Sequence, residues 1–444
     1  MIRVAAEALW HPTIARRGAT RYHCRAQSEP APMPTALPLD TARIRAEFPA
    51  FAEPTLQGQA FFDNAGGSYT SRQVLDRLDR YYRATKLQPY GVSPASVAAG
   101  EAMDLAYSRL ADALNVTPDW LHFGPSSSAN SYVLGHAFGD YLNPGDVLVV
   151  TNQDHEANTG AWRKLAARGI EIREWRTDPQ TGHLDLDVLD ALLDERVKLV
   201  AFPHCSNIVG EINPVAEIVA KIRAATANAV VVVDGVSYAP HGLPNLHALG
   251  CDIYLFSAYK TYGPHQGIMA VRPQLAAALP NQGHFFNADK LRYRLTPAGP
   301  DHAQIAACAG IADYLETVAA IAGGDSSESP FRRAHAAMRA QEVALIAPLL
   351  DYLTSRNDLR LIGPRDPALH APTVSVALRE PARQVAARLA PHGIMAGGSH
   401  FYAWRVLEGL GIDPNHGVLR LSFVHYTSRE EINRLIAALD RELP

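Results

Sequence analysis

Short, mostly apolar runs recur between Phe61 and Val271, each closing on a polar turn. They are Val147–Val150, Ile170–Glu174, Leu199–Phe202, Val230–Val233, Ile253–Phe256 and Ile268–Val271. Their aliphatic, largely β-branched character predicts strands covered on both faces, as in a mainly parallel sheet. Between them helical patterns are expected over Leu186–Arg196 and Pro214–Thr226, the second with proline in its first turn. Alternating strands and helices predict a three-layer α/β domain, with the ligand site at the carboxyl ends of the strands.

The pattern changes near residue 302. A long helical stretch over His302–Val318 leads through Gly323-Gly324-Asp325-Ser326-Ser327 to a second helix ending near Tyr352. Strands near Leu359–Ile362 and Val374–Leu378 and helices over Ala382–Leu389 and Arg429–Leu443 follow. The expected division is a large domain over residues 41–301, whose residues 41–60 form an N-terminal arm, and a smaller α+β domain over 302–444. Residues 1–40 carry Arg3, Arg16, Arg17, Arg21 and Arg25 against Glu7 and Glu29, then a proline-rich stretch. They are expected to be a disordered extension, or to precede a true start at Met33, with an organelle transit peptide as the alternative.

Composition narrows the function classes. With 47% apolar and 19% charged residues the chain reads as a soluble globular protein. A formal charge of -4 and no long basic stripe give no reason to expect a nucleic-acid partner. The valine run is far too short to span a bilayer, so no membrane partner is expected. Cys24, Cys205, Cys251 and Cys308 are widely spaced and form no CxxC pair. No disulfide framework or metal site is expected, and a reducing cytoplasm is the expected location.

Chemistry gathers where the strands should end. Asp234 closes Val230–Val233, and a carboxylate there must be paired or solvated. Lys260 follows Ser257-Ala258-Tyr259 directly after a strand. Gly124-Pro125-Ser126-Ser127-Ser128 opens a helical pattern, which suits a phosphate group or an ordinary serine cap. Ser257 and Tyr259 are further phosphate candidates. His155 lies just past Val147–Val150, placed to stack on a planar ring and to move protons. Asn207 closes another strand, as a hydrogen-bonding amide or a turn residue.

Taken in order, Phe62-Asp63-Asn64-Ala65-Gly66, Ser126-Ser127, Asp154-His155, Ser206–Gly210, Asp234-Gly235 and Ser257–Lys260 resemble the class V aminotransferase/cysteine desulfurase family of fold-type I pyridoxal phosphate (PLP) enzymes. The resemblance runs from about Asp40 to the C-terminus. It implies pyridoxal 5'-phosphate as cofactor, held as a Schiff base by Lys260, with Asp234 on the pyridinium nitrogen and His155 stacked on the ring. It further implies Asn207 and Ser237 near the phenolic oxygen, and Arg420 on the substrate carboxylate, beside Asn64, Ala65 and Tyr402. Family members are homodimers, and Leu295–His302 resembles the stretch that reaches the neighbour's phosphate, with Gly299 contacting through backbone.

The resemblance also has a gap. A desulfurase takes sulfur on a cysteine in a loop before the final strands, and Gly393–Ala403 contains none; Tyr402 stands near that place. The implied reaction class is an amino-acid transformation through an external aldimine and a quinonoid. Carbon–sulfur lyase or desulfurase-like cleavage ranks first, and transamination or epimerisation second. A PLP-fold scaffold or sensor is the non-enzyme alternative. A nucleotide-binding reading fails for want of a glycine-rich fingerprint.

Overall fold

The computed structural model describes residues 37–297 and 299–443. Residues 1–36 of the expected extension lie outside the described residues. The described residues form one compact unit.

The expected strands form. In chain order the central sheet contains β1 (Leu121–Gly124), β2 (Val147–Thr151), β3 (Glu171–Trp175), β4 (Val197–Pro203), β5 (Val230–Asp234), β6 (Ile253–Ser257) and β7 (Gly267–Val271). Their spatial order is β1-β7-β6-β5-β4-β2-β3. The pairs β3/β2, β2/β4, β4/β5 and β5/β6 are parallel, whereas β7 runs antiparallel to both β6 and β1. Burial on both faces is visible residue by residue: Val231 and Val233 enter one apolar core and Val232 the other. The same alternation separates Tyr254 and Phe256 from Ile253 and Leu255. That two-sided covering explains why these strands lack polar alternation.

The smaller sheet contains β8 (Arg360–Ile362), β9 (Thr373–Ala377), β10 (Gly397–Ser399) and β11 (Val418–Ser422), in the order β10-β11-β9-β8 and antiparallel throughout. Its core includes Val374, Val376, Leu419 and Leu421, closed by Ile432, Leu435 and Leu439 of the helix Arg429–Glu442. Ala60 and Phe62 belong to this core too, because Ala60–Phe61 pairs with Ile394–Met395.

One helix is shorter than expected. The helix predicted over Leu186–Arg196 stops at Asp190. Asp194 accepts the Arg196 N–H at 2.9 Å, and the Leu192 carbonyl accepts from Arg173 at 2.7 Å, so side chains fold this segment into turns. The boundary expected at residue 302 does not coincide with a change of core. Ile305, Ile311, Leu315 and Val318 share the larger core with Tyr107 and Leu110 of the helix Pro94–Leu114. The helix Pro330–Ser355 then passes from that core, at Phe331 and Met338, to the smaller sheet, at Leu345 and Leu349. By length and composition His302–Ala322 is apolar enough to cross a membrane, but 67% of its most apolar window is buried in the protein.

Candidate active site

The register of the central sheet brings the opening candidates together. Asp234 lies opposite Leu255 across β5/β6, so the strand that ends on the carboxylate runs beside the strand that leads to Ser257. The chain then makes a single 3-10 turn, Ala258–Lys260, which returns Lys260 over the sheet end. The Thr261 hydroxyl donates to the Ser257 carbonyl (3.0 Å) and the Ser68 hydroxyl to the Lys260 carbonyl (2.6 Å), so the turn is held on both sides.

Asp234, Lys260, His155, Asn207, Ser126, Ser127, Ser237, Ser257 and Tyr259 all line one cavity of about 600 Å³, counted to its open mouth. Burial pushes the Lys260 amine down to about 8, helped by the charge of Arg420 and opposed by Asp234 and Asp63. Burial pushes the Asp234 carboxyl up, against its hydrogen bond from the Val236 N–H (2.8 Å) and the Lys260 charge. The neighbouring Asp154 is raised further, by burial and then by the Asp234 charge.

His155 caps the helix Glu156–Arg163, its Nδ1 accepting the Ala157 N–H at 3.0 Å. Burial, then the Lys260 and Arg420 charges, lower its pKa to about 3. The ring is therefore neutral with its proton on Nε2, which suits stacking on a planar group. A proton carrier would need an imidazolium that this site disfavours.

The helix Ser127–Tyr141 starts at the same cavity, with Ser126 as its cap accepting the Ala129 N–H at 3.1 Å. Ser127 and Ser257 hydroxyls lie 2.8 Å apart, tying this helix start to the lysine turn. Gly267 makes the approach possible: a Cβ there would stand 2.2 Å from the Ser126 carbonyl carbon. Tyr259 stacks on His265 with centroids 4.8 Å apart.

Arg420 on β11 is buried, with its Cζ 3.7 Å above the Phe401 ring and Nη2 donating to Asp63 at 3.1 Å. Its Nε is buried without a partner among the described residues. A buried guanidinium left partly unsatisfied suits an incoming carboxylate. Gly397, opposite Arg420 across β10/β11, leaves room for the Phe401 ring.

The remaining candidates divide. Tyr402 stands at the mouth, 71% exposed, its ring 5.5 Å from His155. Phe401 and Tyr402 both have left-handed backbones (φ 47° and 57°), pinned where the Phe401 carbonyl accepts from Asn207 (2.9 Å) and the Tyr402 carbonyl from the Glu156 N–H (2.8 Å). Asn64 is different. Its amide bonds the Phe61 and Ser422 carbonyls and Tyr426, and the Ala65 N–H donates to Ser422 Oγ at 2.9 Å. Those polar groups are committed to joining residues 61–65 to Ser422 of β11 and to Tyr426, so Asn64 and Ala65 meet the site through packing rather than through hydrogen bonds. Asp63 and Asp154 stand in the quoted motifs without an assigned role, as Phe401 stands beside Tyr402, and the fold gives all three a place in the site.

The cavity fits pyridoxal phosphate on its own terms. Asn207 Oδ1 is a buried acceptor with no partner, Asp234 Oδ2 hydrogen-bonds no protein atom among the described residues, and a hydroxyl-lined helix start lies across from a buried amine. Those groups supply, respectively, an acceptor, a carboxylate oxygen for a ring N–H, a phosphate cradle and a nucleophile.

The aminotransferase class-V family model matches residues 60–435. The chain belongs to the class-V aminotransferase family. It is 32% identical over 412 residues to the aminotransferase-like protein FGM3 of Gibberella zeae, covering 90% of this chain and 98% of that one. It is 30% identical over 417 residues to a cysteine desulfurase of Pectobacterium atrosepticum, covering 90% and 97%. Among solved structures, the apo cysteine desulfurase of Thermococcus onnurineus superposes with a TM-score of 0.78 at 24% identity, covering 90% of this chain and 97% of that one. The fold is that of the fold-type I enzymes, and the chain is an enzyme of the PLP-dependent, desulfurase/aminotransferase-like type.

Proposed function

We propose that the protein cleaves a carbon–sulfur bond in an amino-acid substrate, with pyridoxal phosphate held in the cavity at the carboxyl ends of β5 and β6. The observation that carries the reading is the meeting of Lys260, its amine pushed down to about 8, with Asp234 at one strand-end cavity. The cofactor supplies an aldehyde for the amino group and an electron sink for the bond being broken. Lys260, once free, is the base that takes the α-proton; its lowered pKa leaves about a tenth of it unprotonated at pH 7, far more than an ordinary lysine would offer. Arg420 binds the substrate carboxylate with its unpartnered Nε edge, and the Phe401 ring and Asp63 hold the guanidinium in place. His155 covers the ring, Asp234 meets its nitrogen, and the helix start at Ser126–Ser127 with Ser257 and Tyr259 receives the phosphate.

The cysteine desulfurase relatives support sulfur chemistry, and the cysteines limit its form. Cys205 lines the cavity, but burial pushes its thiol far up and keeps it protonated. Cys251 and Cys308 are buried elsewhere. Among the described residues no cysteine is therefore placed to take the sulfur, and the reading is release of a free thiol: Lys260 takes the α-proton, the Cβ–S bond breaks, and water completes release of pyruvate and ammonia from a cysteine conjugate. Transamination is the second reading, supported by the aminotransferase-like relative.

A homodimer completes this reading. Tyr82 and Leu87 are exposed beside Pro300–Ala303, and Pro300 and Asp301 continue to the helix start at Gly124-Pro125. Among the described residues the three cysteines are unpaired, which supports a reducing compartment.

Purified protein should be yellow with PLP, and borohydride should fix the cofactor on Lys260. Incubation with cysteine conjugates should release thiol and pyruvate together. A colourless protein, or label on another lysine, would remove the enzyme reading. Conversion to pyridoxamine without thiol would replace cleavage by transamination.

A further inference from the structure

The loop over residues 400–403, between β10 and the helix Trp404–Gly409, holds two side chains in a conformation that a Cβ disfavours. Phe401 and Tyr402 are both left-handed, one after the other, and neighbouring groups fix them there. His400 Nδ1 accepts the Tyr402 N–H at 3.1 Å and the His400 carbonyl accepts the Ala403 N–H at 2.9 Å, in addition to the bonds from Asn207 and Glu156. The two rings serve different neighbours. Phe401 lies on the Arg420 guanidinium, whereas the Tyr402 ring is 71% exposed and stands 5.5 Å from His155. A single exposed apolar side chain is ordinary on any surface. One held beside a cavity by strained, four-times-bonded backbone is not, because strain of this kind persists where a function over-determines the position.

Tyr402 also belongs to a row of four rings. Its centroid is 5.5 Å from His155 and 6.2 Å from His400, and His400 is 5.4 Å from Trp404. The row starts at a residue that lines the cavity and ends at a tryptophan 39% exposed. Polar groups along it are already matched. Arg405 donates to Glu156 at 3.1 Å, and Trp404 Nε1 donates to Glu408 at 2.8 Å. The rim's charges thus face one another, and the rings remain as its contact surface.

We propose that the sulfur of the substrate carries an aromatic ring, which lies against Tyr402 in the row between His155 and Trp404. Tyr402 is then the residue that selects S-aryl cysteine conjugates over free cysteine and S-alkyl conjugates. The inference rests on the proposed function and names its substrate class. With the substrate carboxylate on Arg420 and its amino group at the cofactor, the remaining substituent is the side chain. Tyr402 follows, in the chain, the ring that covers Arg420, and it touches the ring that covers the cofactor. A side chain leaving the cavity between those two points meets Tyr402, whereas free cysteine has no substituent to reach it. Aromatic pairs gain attraction beyond the area they bury, which an alkyl group of equal size does not.

The test measures binding to the PLP-loaded protein with amino acids that cannot lose sulfur, so that leaving-group ability does not enter. Homophenylalanine, in which a methylene replaces the sulfur of S-phenylcysteine, is titrated beside its cyclohexyl counterpart and norvaline, and the change in cofactor absorbance is read. Cyclohexyl buries more apolar surface than phenyl, so burial alone would favour it. Stacking on Tyr402 should reverse that order and make the phenyl compound about 3- to 10-fold tighter. Tyr402→Leu should abolish the preference, and Tyr402→Phe should keep it. Equal or tighter binding of the cyclohexyl compound to the wild type, or a phenyl preference that survives Tyr402→Leu, would overturn the proposal. Should none of the three compounds change the absorbance, the reading of an amino-acid substrate falls, and this inference with it.

Discussion

Replacing Gly267 with alanine tests how the strand-end site is assembled. The new Cβ would stand 2.2 Å from the Ser126 carbonyl carbon, 2.5 Å from its oxygen and 2.6 Å from the Ser127 nitrogen. Ordinary contact begins near 3.4 Å. All three atoms are backbone, so no rotamer relieves the clash. Either β7 leaves the β1 and β6 ladders or the helix start moves by about 1 Å, and the second costs less because the Ser126 loop is less tightly paired. Overpacking of this kind costs about 1–3 kcal/mol. Spread over a chain this long, that lowers Tm by no more than ~5 °C. The moved groups are the ones that receive the phosphate, where a displacement near 1 Å costs on the order of 100-fold. Gly267→Ala should therefore fold, and cofactor titration followed by absorbance should show affinity reduced about 10- to 100-fold. Unchanged affinity with unchanged Tm would refute the reading of Ser126–Ser127 as the phosphate cradle set by β7.

Acid should unfold the protein over a defined window. Burial lowers His155 and His204 to about 3, and His122, His370 and His425 to about 4. Unfolded histidines titrate near 6.5, so below that pH the unfolded chain binds more protons; stability is full above about 6.5 and falls as pH drops toward 4. A urea-unfolding midpoint that stays flat over that range would contradict this. Arg420→Lys should keep the yellow colour while raising KM for the substrate about 10-fold or more, because a lysine cannot offer the guanidinium edge beside Phe401. An unchanged KM would show that the carboxylate binds elsewhere. Tyr402→Gly removes a left-handed backbone strain of about 1–3 kcal/mol while giving up little burial, so Tm should hold or rise. A clear drop in thermal stability would show that the strain reading is wrong.

The sheet was legible because its chemistry is local. Val230–Val233 and Ile253–Phe256 carry their two-sided burial in their own composition, and each strand forms within a residue or two of its expected bounds. Asp234 and Lys260 were legible for the same reason, as polar groups forced onto strand ends by the apolar runs before them. The helix over Leu186–Arg196 was misread beyond Asp190 because Asp194 turns the backbone with its side chain, an alternative that periodicity does not register. The motif position of Asn64 does not reveal that its amide is bonded to the Ser422 carbonyl and to Tyr426.

The sequence by itself determined an alternating β/α chain, a lysine and a carboxylate at neighbouring strand ends, a serine-rich helix start and the lack of a cysteine near Tyr402. Each depends on residues close in the chain. The tertiary structure decided what these groups meet. It set Phe401 against Arg420, left Asn207 Oδ1 and Arg420 Nε without partners among the described residues, and placed Glu342 behind His241, 101 residues away in sequence. It also removed water from around Lys260 and His155, and that burial shifts both pKa values. Desolvation and long-range contacts arise only when distant segments pack together, which no local pattern of residues encodes.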